Sequence, residues 1–396
     1  MNKITLANRI QRVKPSPTLA VTARVAELRA AGKDIIGLGA GEPDFDTPDH
    51  IKAAGIQAIK DGLTRYTAVD GTPTLKKAII AKFKRDNGLD YAADQILVSC
   101  GGKQSFYNLC QAMLNAGDEV IIPAPYWVSY PDMVLLAEAE PVIVPTGVDS
   151  HFKISAEQLE AAITSKTRLF VINSPSNPTG VAYSRAELES LGEVLRKHPQ
   201  VLIATDDMYE HILWSEEPFS NILDACPDLY ERTIVLNGVS KVYAMTGWRI
   251  GYAGGPADLI KAMKKVQSQS TSNPASISQA AAQAALEGDQ SCIKPMIKAF
   301  RERHDFVVEA LNRIPGVVCL PADGTFYCFP QVQAVIDRLD AVSNDIELAE
   351  YLLDNAGVAL VPGSAFGAPG YVRISFATSM DILKDALARL TKALTA

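Results

Sequence analysis

Two cations stand eight positions apart in a stretch that is otherwise mostly apolar or small. The stretch reads SKVYAMTGWRIGY over residues 240–252, and the cations are Lys241 and Arg249. Apolar surroundings lower the pKa of a lysine amine, and a neutral amine is the nucleophile that forms Schiff bases with carbonyl compounds. Lys241 is therefore a candidate covalent anchor. Taken singly, each cation also has an ordinary explanation, as a solvated surface lysine and as an ion-pair partner.

Chemically capable residues also follow other apolar runs that are typical of buried strands. Residues 100–103 (CGGK) come after the run 95–99, 174–180 (SPSNPTG) after 168–173, 206–209 (DDMY) after 201–205, and 238–241 (GVSK) after 233–237. Ligands of open parallel sheets bind outside the carboxyl ends of the strands. We therefore expect backbone N–H groups, an amide, a carboxylate, a phenol and an amine at one sheet edge.

The pair Gly101-Gly102 precedes a helical pattern and is a candidate anion site, because free N–H groups and the positive end of the helix dipole point at such a loop. A glycine pair also marks tight turns, Asp206 could be a helix cap, and Tyr209 could be a core tyrosine. Together with Lys241, however, these groups match what pyridoxal phosphate requires: a lysine amine, a carboxylate for the pyridine nitrogen and donors for the phosphate. The chain contains no P-loop motif, and its segment GLGAGE departs from GxGxxG, which disfavours a dinucleotide fold.

The elements that must position these residues are short apolar runs alternating with helical patterns from about residue 50 to 290. The runs 95–99, 119–122, 168–173, 201–205 and 233–237 predict strands of a mainly parallel sheet with helices on both faces. From about residue 291 the pattern changes to a charged helix, Gly/Pro-punctuated segments and a final helix from about Asp381. The sequence therefore predicts an α/β protein with a large domain over 48–290 and a smaller α/β domain built from 1–47 and 291–396.

Composition narrows the class of partner. Of the 396 residues, 47% are hydrophobic and the net charge is -7, without a block of Lys or Arg. This excludes an electrostatic footprint for nucleic acid or a polybasic membrane patch, so a small-molecule partner is favoured. No apolar run has the length of a signal peptide core or a membrane span, which predicts a cytoplasmic location. The six cysteines lack metal-ligand spacing, so we expect reduced thiols and no metal site.

Several long motifs resemble those of the fold-type I pyridoxal-phosphate aminotransferases, in particular the bacterial branch of aspartate aminotransferases. They are SKVYAMTGWRIG (240–251), NSPSNPTG (173–180) and GEPDFDTP (41–48). The resemblance covers nearly the whole chain, from Lys14-Pro15-Ser16 to Arg373-Ile374-Ser375. It implies the PLP-dependent transferase fold of type I and a homodimer whose subunits share their active sites.

The resemblance also implies roles for residues that match the family's motifs. Lys241 would carry the Schiff base and act as general base and acid, Asp206 would pair with the pyridine nitrogen, and Tyr209 and Asn177 would bind the 3'-oxygen. The phosphate would be held by Arg249, by the backbone of Gly101, Gly102 and Lys103, and by Tyr66 of the neighbouring subunit. Ser240 is a further cofactor residue, and Trp127 would stack on the ring unless it is a core tryptophan.

For the substrate, the resemblance implies that Arg373 binds the α-carboxylate, helped by the backbone of Gly41 and by Trp127 and Asn177. Residues 267–273 lack the arginine with which some aspartate aminotransferases bind the distal carboxylate, which points to Lys103 for that role. Tyr130 stands where relatives outside this branch carry a histidine, and Gly238 where some carry a serine. Lys14 matches a lysine of branch members that also transaminate prephenate, although it could be a surface lysine at a helix end.

The predicted reaction is the ping-pong transamination of L-aspartate and 2-oxoglutarate to oxaloacetate and L-glutamate, with prephenate as a possible second acceptor. Transamination of aromatic or kynurenine-like amino acids and β-lyase chemistry are alternatives on the same scaffold. A non-catalytic regulator would require a DNA-binding module and a basic patch, and the chain begins directly with the aminotransferase-like segment.

Overall fold

The computed structural model of the chain describes residues 4–395, and its strands form one large sheet and two small ones. In chain order the strands are β1 (Ile36–Gly37), β2 (Ile96–Ser99), β3 (Glu119–Ala124), β4 (Glu140–Pro145), β5 (Thr167–Asn173), β6 (Leu202–Asp206), β7 (Thr233–Gly238), β8 (Gly251–Gly254), β9 (Tyr327–Cys328), β10 (Val358–Ala359), β11 (Val361–Pro362) and β12 (Val372–Ser375). The five predicted strands are confirmed as β2, β3, β5, β6 and β7.

The large sheet has the order β2-β8-β7-β6-β5-β3-β4. Strand β8 is antiparallel to both β2 and β7, while the neighbours from β7 to β4 pair in parallel. Six strands therefore share one direction and end at the same edge of the sheet. The amino end of β8 lies at that edge too, because β8 runs the opposite way.

Helices cover both faces of the large sheet, and further helices lie in the later part of the chain. They are α1 (Asn8–Gln11), α2 (Pro17–Ala30), α3 (Asp49–Lys60), α4 (Pro73–Asn87), α5 (Gly102–Met113), α6 (Ser129–Leu136), α7 (Ala156–Ala162), α8 (Arg185–Lys197), α9 (Ile222–Ala225), α10 (Ala257–Ser268), α11 (Ser276–Glu287), α12 (Ile293–Asn312), α13 (Gln333–Ile336), α14 (Asp345–Ala356) and α15 (Met380–Thr395). Local signals set several ends: α4 begins at a Thr72 cap followed by proline and ends at Gly88 with φ +66°.

The sheet is buried on both faces, as its continuous apolar strands predict. Ile96 and Val98 of β2 pack into one apolar core, whereas Leu97 between them packs into another on the opposite face. All three side chains are fully buried. Alternate side chains of a strand point to opposite faces, so an unbroken apolar run needs a helix layer on each side.

A separate core gathers the later part of the chain with a piece of its beginning. Ile36 and Leu38 pack with side chains from α12 to α15 and from β9, β10 and β12. Strand β1 pairs in parallel with β10, which ties residues 36–37 to 358–359. Residues 36–38 therefore share a core with the later part of the chain, while the division into 48–290 and 1–47 with 291–396 stays a prediction. Within residues 4–395 no helix is long and apolar enough to cross a membrane.

Candidate active site

A cavity of about 430 Å³ opens at the edge where the six strands end. Eleven of the residues singled out in the sequence line it. They are Gly41, Gly102, Lys103, Trp127, Asn177, Asp206, Tyr209, Ser240, Lys241, Arg249 and Arg373.

The sheet topology explains this convergence. Asp206 is the last residue of β6, Lys103 lies in the first turn of α5 after β2, and Lys241 follows β7. Arg249 instead precedes β8, whose amino end lies at the same edge because that strand is reversed. The turn between β7 and β8 therefore brings both cations of residues 240–252 to one cavity.

The amine of Lys241 lies in surroundings that favour its neutral form. Burial, followed by the positive charge of Arg373, lowers its pKa to about 8, while Glu42 opposes the shift. Its Nζ donates a hydrogen bond to the backbone oxygen of Gly41. With a pKa near 8, about a tenth of the lysine is the nucleophilic amine at pH 7, far more than for an ordinary lysine.

The hydroxyl of Tyr130 holds Asp206 in place. In the sequence, Tyr130 stands out only because some family members carry a histidine at its position. Tyr130 donates a hydrogen bond from its hydroxyl to Oδ2 of Asp206 over 2.5 Å, and the backbone N–H of Met208 donates to Oδ1 over 3.3 Å. Burial raises the pKa of Asp206, and the hydrogen bonds from Tyr130 and Met208 and the more distant charge of Lys241 only partly oppose this. A protonated ring nitrogen would supply the missing cation and reverse that shift.

Tyr209 is buried and packs into the separate core that gathers the later part of the chain, which we call the second core. Its hydroxyl lies 3.1 Å from that of Tyr327, and burial together with Tyr327 raises its pKa well above the ordinary value. Tyr327 also lines the cavity, although no sequence motif pointed to it.

The start of α5 and Arg249 form a corner suited to an anion. Gly101 has φ +86°, and a Cβ there would overlap the Arg249 guanidinium, so the backbone must be glycine to approach it. Arg249 donates to the backbone oxygens of Thr246 (2.8 Å) and Cys100 (3.2 Å). The first N–H groups of a helix have no partner within it, so this corner combines a guanidinium with free backbone donors.

Arg373 is buried yet keeps an unused donor. Its Nη1 donates to Oδ1 of Asn177 (2.9 Å) and its Nη2 to the backbone oxygen of Gly39 (2.8 Å). Its Nε is buried and has no partner among residues 4–395. The guanidinium carbon lies 4.4 Å from the ring centre of Tyr327. A buried charge without a counter-ion costs folding free energy, and a bound carboxylate would compensate it.

Lys103 offers a second cation at another side of the cavity. Its Nζ donates to the hydroxyl of Ser129 over 3.0 Å and lies 5.0 Å from the ring centre of Trp127. Burial, followed by the charge of Arg249, lowers its pKa. Trp127 in turn packs edge to face with Tyr130, with ring centres 5.1 Å apart. Besides Lys241 and Arg249, the cavity thus holds two further cations, Arg373 and Lys103, on which a dicarboxylate could be bound.

Three of the predicted residues do not line the cavity. Gly101 lies directly behind it and shapes the Arg249 corner. Tyr66 is 93% exposed on the surface. Lys14 is exposed, and its backbone N–H contacts Asp132 over 3.5 Å, beside the cavity and not inside it.

Other lining residues escaped the sequence reasoning. Thr18, Leu19 and Thr22 come from one face of α2, and Glu42 follows Gly41. The hydroxyl of Thr246 donates to Glu42 over 2.8 Å. No local motif marks the α2 residues, and only their spacing of three and four along a helix could have indicated a shared face.

Comparisons with known proteins agree with this geometry. The family model for class I and II aminotransferases matches residues 33–390. The aspartate/prephenate aminotransferase of Nitrosomonas europaea is 63% identical over 394 residues, covering 98% of this chain and 99% of that protein. That of Cereibacter sphaeroides is 55% identical and covers 97% of both chains.

Solved structures show the same fold. The aspartate aminotransferase of Rhizobium meliloti superposes with a TM-score of 0.95 at 50% identity, covering 99% of each chain. The aspartate aminotransferase of Thermus thermophilus with maleate gives a TM-score of 0.93 at 41% identity, covering 99% of this chain and 100% of that one. With the family model matched over residues 33–390, the chain belongs to the class I and II aminotransferases, which depend on pyridoxal phosphate.

Proposed function

We propose that this aminotransferase uses L-aspartate as amino donor and 2-oxoglutarate as acceptor, with prephenate as a second acceptor. The names of relatives that are 63% and 55% identical support both substrates. The observation that carries the proposal is the pairing, in one cavity, of the Lys241 amine with two separate cations, Arg373 and Lys103. Aspartate and 2-oxoglutarate both carry two carboxylates.

The residues present fit pyridoxal phosphate. When bound, this cofactor withdraws electrons from the substrate's α-carbon and so stabilises the negative charge that forms there. The Arg249 and Gly101 corner suits the phosphate, and Asp206 suits the ring nitrogen. Two structural features support this fit: Gly101 lets the backbone approach the Arg249 guanidinium, and Asp206 forms no ion pair among residues 4–395 although burial raises its pKa.

Lys241 would provide both the covalent attachment and the proton transfer. Its lowered pKa favours the amine that bonds to the cofactor aldehyde. Once the substrate amine has displaced it, Lys241 Nζ would remove the proton from the substrate's α-carbon and later return a proton. Positioned acid–base catalysis of this kind contributes about 10²- to 10⁴-fold to the rate.

Tyr209 and Asn177 would bind the 3'-oxygen of the cofactor through hydrogen bonds and so influence its charge. Because Asn177 accepts from Arg373 through Oδ1, its Nδ2 donors are available to a ligand. The same contact joins the residue proposed for the cofactor to the residue proposed for the substrate. Trp127 would stack on the ring, and Ser240 would complete the wall of the cavity.

Arg373 would bind the α-carboxylate that all the amino acids and oxo acids of the cycle share. The orphaned Nε supports this role, since a carboxylate would satisfy it. Gly41 would add a backbone contact. Lys103 would bind the distal carboxylate of aspartate, and Lys14 would assist only a larger dicarboxylate.

We propose a homodimer whose interface includes α3 and the loop after it. Ile56, Ile59 and Leu63 are more than half exposed, and Tyr66 nearby is 93% exposed. Large apolar side chains clustered on a surface mark an interaction site. Tyr66 would then reach the phosphate in the partner subunit. The two-domain division and a cytoplasmic location remain predictions.

Half-reactions test the proposal directly. The PLP-loaded protein is mixed with aspartate, phenylalanine or a cysteine conjugate, and the loss of cofactor absorbance is followed in single turnover. We expect aspartate to react fastest, and Lys241→Ala to lose both the borohydride-reducible bond and transamination. Full transamination by Lys241→Ala would refute the role of Lys241, and faster reaction with phenylalanine or a conjugate would favour the aromatic or β-lyase alternatives.

A further inference from the structure

The segment after β6 has two faces with different surroundings. Asp206, Met208 and Tyr209 line the cavity, whereas Asp207 and Glu210 do not. Both of these carboxylates are buried, with exposed fractions of 0% and 6%. The chemistry described above uses neither of them.

Glu210 is the centre of a buried network on that second face. Its Oε2 accepts from Nδ2 of Asn87 over 2.8 Å, and its Oε1 forms an ion pair with Lys82. Lys82 Nζ also donates to Oδ1 of Asn87 over 2.8 Å. Lys82 and Asn87 both belong to α4, one of the helices that cover the large sheet. Glu210 therefore links the segment after β6 to this helix.

The same carboxylate also holds the strand that leads to Lys241. Oε1 of Glu210 accepts from Nδ2 of Asn237 over 2.8 Å, and Oδ1 of Asn237 accepts from the backbone N–H of Gly238 over 2.7 Å. Asn237 lies in β7, four residues before Lys241. One side chain therefore connects the segment that carries Asp206 and Tyr209 with the turn that carries the lysine.

The two carboxylates nearest to His211 already have cations: Lys82 pairs with Glu210, and Arg85 pairs with Asp86 over 2.6 Å. Asp86, Glu210 and His211 bring three ligand atoms together, but the buried amine of Lys82 is already paired with Glu210 and lies 3.8 Å from Asp86. Although burial opposes ionisation, the charge of Lys82 lowers the pKa of Glu210. The pKa of Asp207 shifts in the opposite direction. Burial, followed by the negative charge of Glu210, raises it to about 8.

We propose that Glu210 is a positioning residue for transamination, which fixes the Asp206–Tyr209 segment and the Lys241 turn relative to each other through Asn87 and Asn237. This inference rests on the roles proposed above for Asp206, Tyr209 and Lys241. Catalytic groups must be held to fractions of an ångström, and a shift of about 1 Å can cost about 100-fold in rate.

Two double variants separate positioning from charge balance. Lys82→Met with Glu210→Leu removes the ion pair and both hydrogen-bonded connections, while similar volumes are kept. Lys82→Met with Glu210→Gln removes the charges but leaves an amide whose oxygen can still accept from Asn237. Its NH2 group can donate to Asn87 once that amide turns the oxygen released by Lys82 toward it. Replacing a buried ion pair by packed apolar residues is often neutral or stabilising, so both doubles should fold.

The first readout needs no cofactor. Hydrogen exchange of the PLP-free protein reports the opening of residues 206–211 and 237–243. In Lys82→Met/Glu210→Leu we expect both segments to exchange at least about tenfold faster. Thermal stability should stay near the wild-type value, because the acceptor lost by the Asn87 and Asn237 amides offsets what the removal of the buried ion pair gains. Lys82→Met/Glu210→Gln should exchange like wild type.

The PLP-loaded protein gives the second set of readouts. For the Leu double we expect about tenfold weaker PLP binding, a fall of about 10- to 100-fold in kcat/KM, and a shifted pH midpoint of the cofactor's absorbance. A loss of stability alone would not move that midpoint. Asn312→Ala, which removes two contacts to Cys319 in the second core, is the matched destabilised control.

The outcomes distinguish the two proposals. Wild-type values of exchange, PLP affinity and midpoint in the Leu double would overturn the role of Glu210, even if Lys241 behaves as proposed. If the wild-type protein itself showed no Lys241-dependent absorbance, the proposed function would fail while the exchange result still decided the network. Should the Leu double not fold, Asn237→Ala cuts the connection of Glu210 to β7 and also removes the acceptor of the Gly238 N–H, while Lys82 and Asn87 stay in place. Unchanged exchange of 237–243 together with unchanged PLP affinity in this variant would equally overturn the inference.

Discussion

Tyr130 donates a hydrogen bond to Asp206 over 2.5 Å, across 76 positions of sequence. Tyr130 is 1% exposed and packs against Phe106 and Trp127, so its hydroxyl is held in place by the surrounding rings. The contact lowers the pKa of Asp206, against the larger effect of burial. The tyrosine therefore helps to keep ionised the carboxylate proposed to face the cofactor's ring nitrogen.

Replacing Tyr130 by phenylalanine should weaken the reaction most at low pH. Without the hydroxyl the pKa of Asp206 rises, so at a given pH less of it is ionised. We expect the acid limb of the kcat profile to move to higher pH and kcat at neutral pH to fall about tenfold. Single-turnover rates across pH measure both. Tyr183→Phe, a buried tyrosine that accepts from Ile154 N–H, is the control, and an unmoved acid limb in Tyr130→Phe would contradict the argument.

Attachment of PLP to the cofactor-free protein should follow the ionisation of Lys241. Its pKa is lowered to about 8, so the neutral amine predominates above that pH and becomes scarce below it. We expect the rate of attachment to rise about tenfold per pH unit below 8 and to level off above it. Stopped-flow absorbance gives the rate. A rate that kept rising to pH 10 would show an ordinary lysine.

Arg373→Leu should raise the pH midpoint of PLP attachment, because the charge of Arg373 is the second largest cause of the lowered pKa of Lys241. Arg313→Leu, at an exposed ion pair with Glu309, should leave the midpoint in place. The same Arg373 variant should lower kcat/KM for all amino acids by about 10- to 100-fold, because they share the α-carboxylate. A loss confined to aspartate would contradict the assignment.

Lys103 and Lys14 should affect different substrates. Lys103 lies in the cavity, so Lys103→Ala should lower kcat/KM for aspartate by about 10- to 100-fold and spare alanine, which has no distal carboxylate. Lys14 lies outside it beside Asp132, so Lys14→Ala should lower only the rate with prephenate. Single turnovers of the aminated enzyme with oxaloacetate, 2-oxoglutarate and prephenate separate the two. If prephenate reacts equally well in Lys14→Ala, Lys14 has no special role.

Mixed dimers can show whether Tyr66 acts in the partner subunit. Lys241→Ala and Tyr66→Ala chains are dissociated in mild denaturant and reassociated together. If Tyr66 reaches the partner's cavity, each heterodimer has one intact site, and a random mixture recovers about a quarter of the wild-type activity. If Tyr66 served its own subunit, no intact site would form and the mixture would stay at the level of the parents. Sedimentation of each sample confirms that dimers are compared.

Local residue patterns were enough to predict the strands β2, β3, β5, β6 and β7 and the helix after Gly101-Gly102. Apolar runs bounded by glycine and polar residues record burial on both faces, which is a property of a few neighbouring residues. Because parallel strands end at one edge, the same patterns also predicted that Lys103, Asp206 and Lys241 would meet. Long motifs in the expected order indicated the family.

Other features depend on contacts between distant parts of the chain, which no local pattern encodes. The reversal of β8 explains why Arg249 arrives at the same edge, and the pairing of β8 with both β2 and β7 produces it. Tyr130 donates a hydrogen bond to Asp206 across 76 positions of sequence, and Asn87 donates one to Glu210 across 123 positions. A buried polar side chain must find a partner wherever the packing places one, so its role is decided only when the helices and strands are assembled.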